Sequence, residues 1–191
     1  LPGGLQGAVL FAGRAFDAVL LHTFFTDETL QRVVRTVREE AERVGRDPAA
    51  VRIWSCFAVV GDWLPDDVRL KKTVGRMATY LQGYGDLMVS TNHWDPAVLE
   101  RFRRDPFVAG FRGAIDNTAT TSELEHVSTL IPSGWLAAAG LGTPAECADA
   151  VLRQMDLGAD SVIIHGATPA ELAPMVHAYR AIRPAGRFDH L

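Results

Sequence analysis

Two stretches of the chain share one pattern of polar and apolar positions. Asp17-Ala-Val-Leu-Leu-His22 and Asp160-Ser-Val-Ile-Ile-His165 each run from an aspartate through a small residue and three aliphatics to a histidine. Ala18 to Leu21 and Ser161 to Ile164 are too short for buried helices and rich in branched aliphatics, so both read as core strands. Between Thr26 and Gly45 the period changes. Thr26 caps a helix with Asp27 and Glu28 in its first turn, and Leu30, Val33, Val34, Val37, Ala41 and Val44 form its buried stripe. Val51 to Val60 is almost wholly apolar and reads as a strand covered on both faces. Thr143-Pro-Ala-Glu146 and Thr168-Pro-Ala-Glu171 open apolar-striped segments on either side of the last strand. The repeating helix–strand–helix layout predicts an α/β fold with parallel strands and outer helices.

About 80 residues separate the second and third of these strands, from Asp62 to Gly142, with only Trp135 to Ala139 as a doubtful strand candidate. The pattern there predicts a helical insertion over 62–142. Pro65 opens a helix with Val74, Met77, Ala78 and Leu81 on one side and Arg69, Lys72 and Arg76 on another. Gly83-Tyr84-Gly85 breaks it, Asp95-Pro96 starts a helix to about Arg104, and Thr120 with Glu123 forms a capping box for a helix through Leu130. An insertion of this size after a strand forms a lid or substrate wall. Leu5 to Ala15 has near-helical spacing weakened by Gly7 and Gly13. Pro174 predicts a kink or a delayed start in the last helix, and residues 183–191 form a tail of Pro, Gly and charge.

The chain has 191 residues, suited to a single domain, and a net charge of −4 with both signs dispersed. No nucleic-acid or anionic-membrane partner is implied, and no apolar run approaches a membrane span. Two cysteines, Cys56 and Cys147, stand at no metal-ligand spacing and suit a reducing compartment, so a cytoplasmic protein with no metal is expected. The first residue is not methionine and looks like a cut.

His22 and His165 are the leading polar candidates, because each follows a strand at the end where parallel α/β folds carry chemistry. A histidine bonded to a neighbouring loop would look the same. Ser55 and Cys56 sit mid-strand, where packing competes with any chemical role. Tyr80, Gln82, Tyr84, Asn92, His93 and Trp94 suit either a pocket wall or helix packing. Pro2-Gly3-Gly4 could present bare backbone N–H groups to a phosphate, or be a flexible end. There is no phosphate-binding P-loop, dinucleotide glycine fingerprint or Gly-x-Ser-x-Gly elbow, and the catalytic residues are left unassigned.

Phe16 to Glu28, Val51 to Phe57, Gly158 to Pro169 and, most specifically, Lys71-Lys-Thr-Val-Gly-Arg-Met-Ala-Thr-Tyr-Leu-Gln-Gly-Tyr-Gly-Asp86 resemble the luciferase-like monooxygenase superfamily. The nearest branch is that of oxidoreductases dependent on the deazaflavin coenzyme factor 420. The resemblance covers about Gly3 to Ile182 and implies the C-terminal part of a TIM-type (β/α)8 barrel. It implies hydride transfer between a deazaflavin and a small organic substrate, with FMN as the alternative cofactor and an FMN-dependent monooxygenase as the alternative activity. Gly3 and Gly4 fall where relatives have a loop touching the cofactor's phosphate-bearing tail. His22 and Thr23 fall near a substrate-contacting position, and Ser55, Tyr80 and His165 complete the expected substrate pocket. His22, Ser55 and His165 are expected at one end of the sheet, facing a concave space. Three strands cannot close a barrel. Open edges then predict self-association into a homo-oligomer, and this stretch alone should hold the cofactor weakly. Two rival readings are a non-catalytic half-barrel that needs a partner chain and a phosphate-binding barrel lyase or isomerase.

Overall fold

The longest strand organises the layers. In the computed structural model, which describes residues 4–187, helix α1 (Gly4–Ala15) leads into strand β1 (Ala18–Leu20) and helix α2 (Asp27–Arg43). A 3-10 turn at Pro48–Ala50 precedes strand β2 (Arg52–Gly61). Seven short or broken helices follow: α3 (Asp66–Leu70), α4 (Arg76–Asn92), α5 (Pro96–Arg104), α6 (Pro106–Gly110), α7 (Ile115–Thr118), α8 (Thr121–Ser128) and α9 (Ser133–Leu136). A π-turn, Lys71–Gly75, joins α3 to α4. Strand β3 (Gly140–Gly142), helix α10 (Pro144–Asp156), strand β4 (Ser161–His165) and helix α11 (Pro169–Ile182) complete the order.

Every strand pairing is parallel. β1 lies against Arg52–Trp54, β4 against Trp54–Ala58 and β3 against Val59–Gly61. The Leu21 amide donates to the Trp54 carbonyl at 2.8 Å and the Asp160 amide to the Ile53 carbonyl at 2.7 Å. Consecutive carbonyls of a strand point to opposite edges, so β1 and β4 flank β2 on its two sides. The three expected strands are present and parallel. β3 is a fourth: the doubtful candidate, Trp135 to Ala139, forms no strand, since the helix Ser133–Leu136 runs into it and pairing begins only at Gly140.

Side-chain parity along β2 separates two faces. Ile53, Ser55, Phe57 and Val59 are all buried, Ile53 against α1 and α2 and Phe57 and Val59 against α10 and α11. Arg52, Trp54, Cys56 and Ala58 point the other way. On that inner face Leu20 and Trp54 remain exposed, and Ala58 enters a third core built by the insertion. That core holds Phe24, Met77, Leu81 and Phe102, all buried, and the stacked pair Trp94 and Trp135 at 4.4 Å. The insertion therefore packs over the end of the sheet.

The caps follow the sequence closely. Thr26 accepts from the Thr29 amide, and Thr120, Thr143 and Thr168 each form a full capping box with the residue three positions on. Gly45 adopts φ 77° after α2. Tyr84, with φ −150°, breaks the geometry of α4 as the glycines around it suggested. α11 starts at Pro169 without the delay expected from Pro174. In the tail, Arg187 pairs with Asp156, while residues 188–191 lie outside the described part. Asp160 ties the layers together: its carboxylate accepts from the Ile53 amide at 2.7 Å and from Arg38 at 2.9 Å. Among the described residues, no helix is long and apolar enough to cross a membrane.

Candidate functional site

β1 and β4 end beside each other's space, and α4 crosses above both. Lys72, Arg76, Tyr80 and Tyr84 recur every four residues, which places them along one side of a helix. The π-turn at Lys71–Gly75 adds a residue to the helical register just where this row begins, a feature common at functional sites. All four side chains reach down to the strand ends. The Lys72 ammonium donates to the Gly166 carbonyl at 2.7 Å and pairs with Glu171 at 3.1 Å. Arg76 Nη1 lies 3.3 Å from His165 Nδ1, Tyr80 Oη 3.4 Å from His165 Nε2 and Tyr84 Oη 3.1 Å from His22 Nε2. The rings of His22, Tyr80 and Tyr84 pack mutually, with centroids 5.1–5.3 Å apart.

Several devices hold this rim. Gly166 turns with φ 78°, a conformation that favours glycine, and a Cβ there would stand 2.7 Å from Arg76 Nη1 and push the guanidinium aside. Arg76 Nε donates to Asp116 on α7 at 2.9 Å, and Thr79 donates to the other oxygen of the same carboxylate at 2.9 Å. The loop after β1 is clamped by Asn92, whose amide group donates to the Phe24 carbonyl and accepts from the Thr26 amide. That clamp holds buried Phe24 at φ 64°, a conformation a bulky residue adopts only where its surroundings impose it.

Hydrogen-bond chemistry assigns the protons on both imidazoles. An arginine has no lone pair to offer, so His165 Nδ1 accepts and its hydrogen sits on Nε2. A carbonyl has no hydrogen to give. The Thr23 carbonyl, 3.0 Å from His22 Nδ1, therefore accepts from it, and His22 Nε2 is left to accept from Tyr84. Burial, then the Arg76 charge and His22, hold the His165 pKa below its ordinary value. Burial and the neighbouring Tyr80 push the Tyr84 hydroxyl up to about 12.

The structure brings together His22, Tyr80, Tyr84 and His165 from the sequence candidates, joins Arg76 of the basic stripe to them, and adds Thr79 and Asp116. Ser55 goes elsewhere: it lies on the helix-covered face and donates to Gln154 of α10 at 2.9 Å, both side chains buried. The expectation that it faces the concave side is thus corrected by strand parity. Thr23 is buried, with its hydroxyl against Cys56 Sγ at 3.2 Å, and contributes only its carbonyl to the rim. Gly3 lies outside the described residues, and Gly4 is the first residue of α1. Among the described residues, no three His, Cys, Asp or Glu side chains gather to hold a metal ion. A separate cleft of about 470 Å³ opens beyond the π-turn, at the ends of β2 and β3, where Asp62, Asp66, Asp67 and Glu125 outnumber Arg69. Its negative lining disfavours an anionic cofactor.

The luciferase-like monooxygenase family model matches residues 3–161. The chain belongs to that family. Among solved structures it is similar to the coenzyme F420 dependent tetrahydromethanopterin reductase from Methanopyrus kandleri, with a TM-score of 0.63 at 14% identity over 91% of this chain and 46% of that one. It is also similar to long-chain alkane monooxygenase (LadA), with a TM-score of 0.50 at 18% identity over 93% of this chain and 38% of that one. At these identities the likeness is one of fold, and the chain spans less than half the length of either protein. No curated protein matches it. Family members are oxidoreductases and monooxygenases, and the parallel sheet with outer helices seen here is the corresponding part of their barrel.

Proposed function

We propose that this chain belongs to a deazaflavin-dependent oxidoreductase that moves hydride between coenzyme factor 420 and a small organic substrate. The observation that carries the reading is the rim itself: two histidines, each bonded to a tyrosine, at the C-terminal ends of parallel strands in a luciferase-like fold. The rim has no metal cluster among the described residues and no serine or cysteine paired with a base. It offers instead phenol and imidazole groups that orient a polar substrate, which suits chemistry performed by a bound cofactor. The likeness to a factor 420 dependent reductase favours deazaflavin, and the weaker likeness to an alkane monooxygenase keeps FMN as the second reading.

The residues present fit such a cofactor in kind. The aromatic rings of Tyr80 and Tyr84 and the exposed Leu20 and Trp54 on the inner face offer apolar surface to a flat ring. Arg76 and Lys72 supply cationic donors at the rim, although each already faces a carboxylate, Asp116 and Glu171. When bound, the deazaflavin supplies the carbon that accepts or returns hydride. This chain's own residues hold the substrate, keep His165 neutral and position the two phenols. A homo-oligomer, or a partner supplying the remaining strands, is compatible with the free edges of β1 and β4 among the described residues.

Titration of the protein with deazaflavin and with FMN, followed in the visible spectrum, tests the reading. A saturable change with deazaflavin is expected, with a dissociation constant on the order of millimolar for this stretch alone, about 4 kcal/mol. No change with either cofactor, together with binding of small phosphorylated metabolites, would overturn it.

A further inference from the structure

The hydrogen bonds of the rim leave one hydroxyl hydrogen without a protein acceptor. An arginine can only donate, so His165 Nδ1 accepts from Arg76 at 3.3 Å and the imidazole hydrogen lies on Nε2. That hydrogen goes to the Tyr80 oxygen, 3.4 Å away. A carbonyl can only accept, so His22 gives its Nδ1 hydrogen to Thr23 at 3.0 Å, and its Nε2 lone pair takes the Tyr84 hydrogen at 3.1 Å. Tyr84 is thereby committed. Tyr80 is not: among the described residues its hydrogen bond is to His165, and there the phenol oxygen accepts.

Charge at the rim is matched pair by pair. Arg76 faces Asp116 at 2.9 Å and Lys72 faces Glu171 at 3.1 Å, so each cation of the row has its own carboxylate. Around the Tyr80 hydroxyl the other surfaces are the rings of His22, Tyr84 and buried Phe24, with centroids 5.1–5.8 Å from that of Tyr80. An ion entering here would leave water for aromatic surface and meet no unmatched counter-charge.

We infer that the rim binds an uncharged molecule through an acceptor atom, a carbonyl oxygen or imine nitrogen, to which Tyr80 gives its hydrogen, with His165 and Arg76 as positioning residues. The reaction rests on the oxidoreductase reading above; the binding rests on the hydrogen bonds of the rim alone. Arg76 holds His165 in the tautomer whose N–H faces Tyr80, and a phenol oxygen that already accepts is the stronger donor. Arg76 is itself fixed by Asp116, which Thr79 holds at its other oxygen.

In reduction, hydride from reduced deazaflavin, which is thereby oxidised, forms the new carbon–hydrogen bond at the carbonyl or imine carbon. The π pair of the double bond moves to the oxygen or nitrogen, which takes the Tyr80 hydrogen and becomes O–H or N–H. The phenolate left behind, facing the His165 N–H, regains a proton from water. An alkane offers Tyr80 no acceptor, which sets this reaction apart from oxygenation of a hydrocarbon.

Cyclohexanone, cyclohexanecarboxylate and cyclohexylammonium carry one carbon body with no charge, a negative charge and a positive charge. The chain has three tyrosines, so carbon-13 labelling at tyrosine Cζ gives three resonances, and Tyr80→Phe identifies one by its absence. Without cofactor, cyclohexanone should move the Tyr80 resonance saturably, and neither ion should. Tyr80→Phe should weaken cyclohexanone binding, followed at its carbonyl carbon, about tenfold. In Arg76→Met the nitrogen-15 spectrum should lose the fixed Nε2–H tautomer of His165, and the bound ketone's carbonyl shift should fall back toward its value in water, a change that loss of packing alone does not produce. An unmoved Tyr80 resonance, a larger response to either ion, or equal ketone affinity in Tyr80→Phe overturns the inference. Should Tyr80→Phe not fold, the parent's Tyr80 resonance, assigned by its contact with the His165 ring, carries the same test. Cyclohexanone bound at Tyr80 in a chain that takes no deazaflavin leaves the acceptor site and removes the reaction. Deazaflavin binding with Tyr80 unmoved by the ketone removes the acceptor site and leaves the cofactor reading.

Discussion

Removing the Arg76 guanidinium should test how the rim is held, because one ion pair anchors it. Arg76 Nε and Asp116 Oδ2 are 2.9 Å apart, and their side chains are 23% and 13% exposed. Charges about 4 Å apart attract by about 4 kcal/mol at an effective dielectric of 20. Partial exposure and side-chain ordering reduce the net coupling to about 1–2 kcal/mol. Arg76→Met leaves the Asp116 carboxylate with Thr79 but without a counter-charge, at a cost of about 2–3 kcal/mol. Asp116→Asn keeps the Thr79 contact and should cost about 1–2 kcal/mol. The double variant should then be more stable than the sum of the singles by the coupling energy. Urea unfolding of the four proteins, followed by tryptophan fluorescence, gives the cycle. His165 should also titrate at higher pH in Arg76→Met, since the Arg76 charge lowers its pKa. Additive single effects within about 0.5 kcal/mol, with His165 unmoved, would refute the anchoring argument.

Three further outcomes follow from specific contacts. Gln154→Leu should destabilise by about 1–3 kcal/mol in urea, because Ser55 then buries an unpaired hydroxyl, and cofactor binding should be unchanged. Gly166→Ala should cost about 1–3 kcal/mol and release Arg76 from His165, seen as a changed His165 nitrogen shift, because its φ is 78° and its Cβ would crowd Nη1. Glu40, bonded to Arg43 and Arg14, has its pKa held down to about 2. Its stabilisation is complete above the unfolded value of 4.5 and is lost as pH falls from there toward about 2, so Glu40→Gln should flatten that part of the acid-unfolding curve.

Much of the fold was legible because its signals are local. The strands at Ala18 and Ser161 begin where the sequence places them, and Thr26, Asp95 and Thr120 cap the helices they announce. β3 was not legible, since Gly140-Leu-Gly142 carries neither β-branched residues nor alternation and is strand only through its pairing with Val59–Gly61. The face of Ser55 was hidden for a different reason. Val51 to Val60 is apolar at nearly every position, so nothing in it tells inner from outer residues. The parity is set by Ile53, Phe57 and Val59 meeting helices far away in sequence.

The site was legible in its parts and not in its joining. His22 and His165 stood out because each ends a strand, and Tyr80 because it lies in the most specific run of the sequence. Spacing also puts Lys72, Arg76, Tyr80 and Tyr84 on one row, yet the same row reads equally as a solvated basic face with ordinary aromatic packing. What decides between them is where the row points, and that depends on the extra residue in the π-turn and on Gly166 leaving room for a guanidinium. Asp116 gave no signal at all, being 40 positions from Arg76 on a four-residue helix. The placement of the hydrogens on the two imidazoles needed one step more. Neither histidine has a defined tautomer until its fixed neighbour is known, and those neighbours are a helix arginine for one and its own loop carbonyl for the other. Two histidines in matching sequence contexts thereby carry their hydrogens on opposite nitrogens, Nε2 in His165 and Nδ1 in His22.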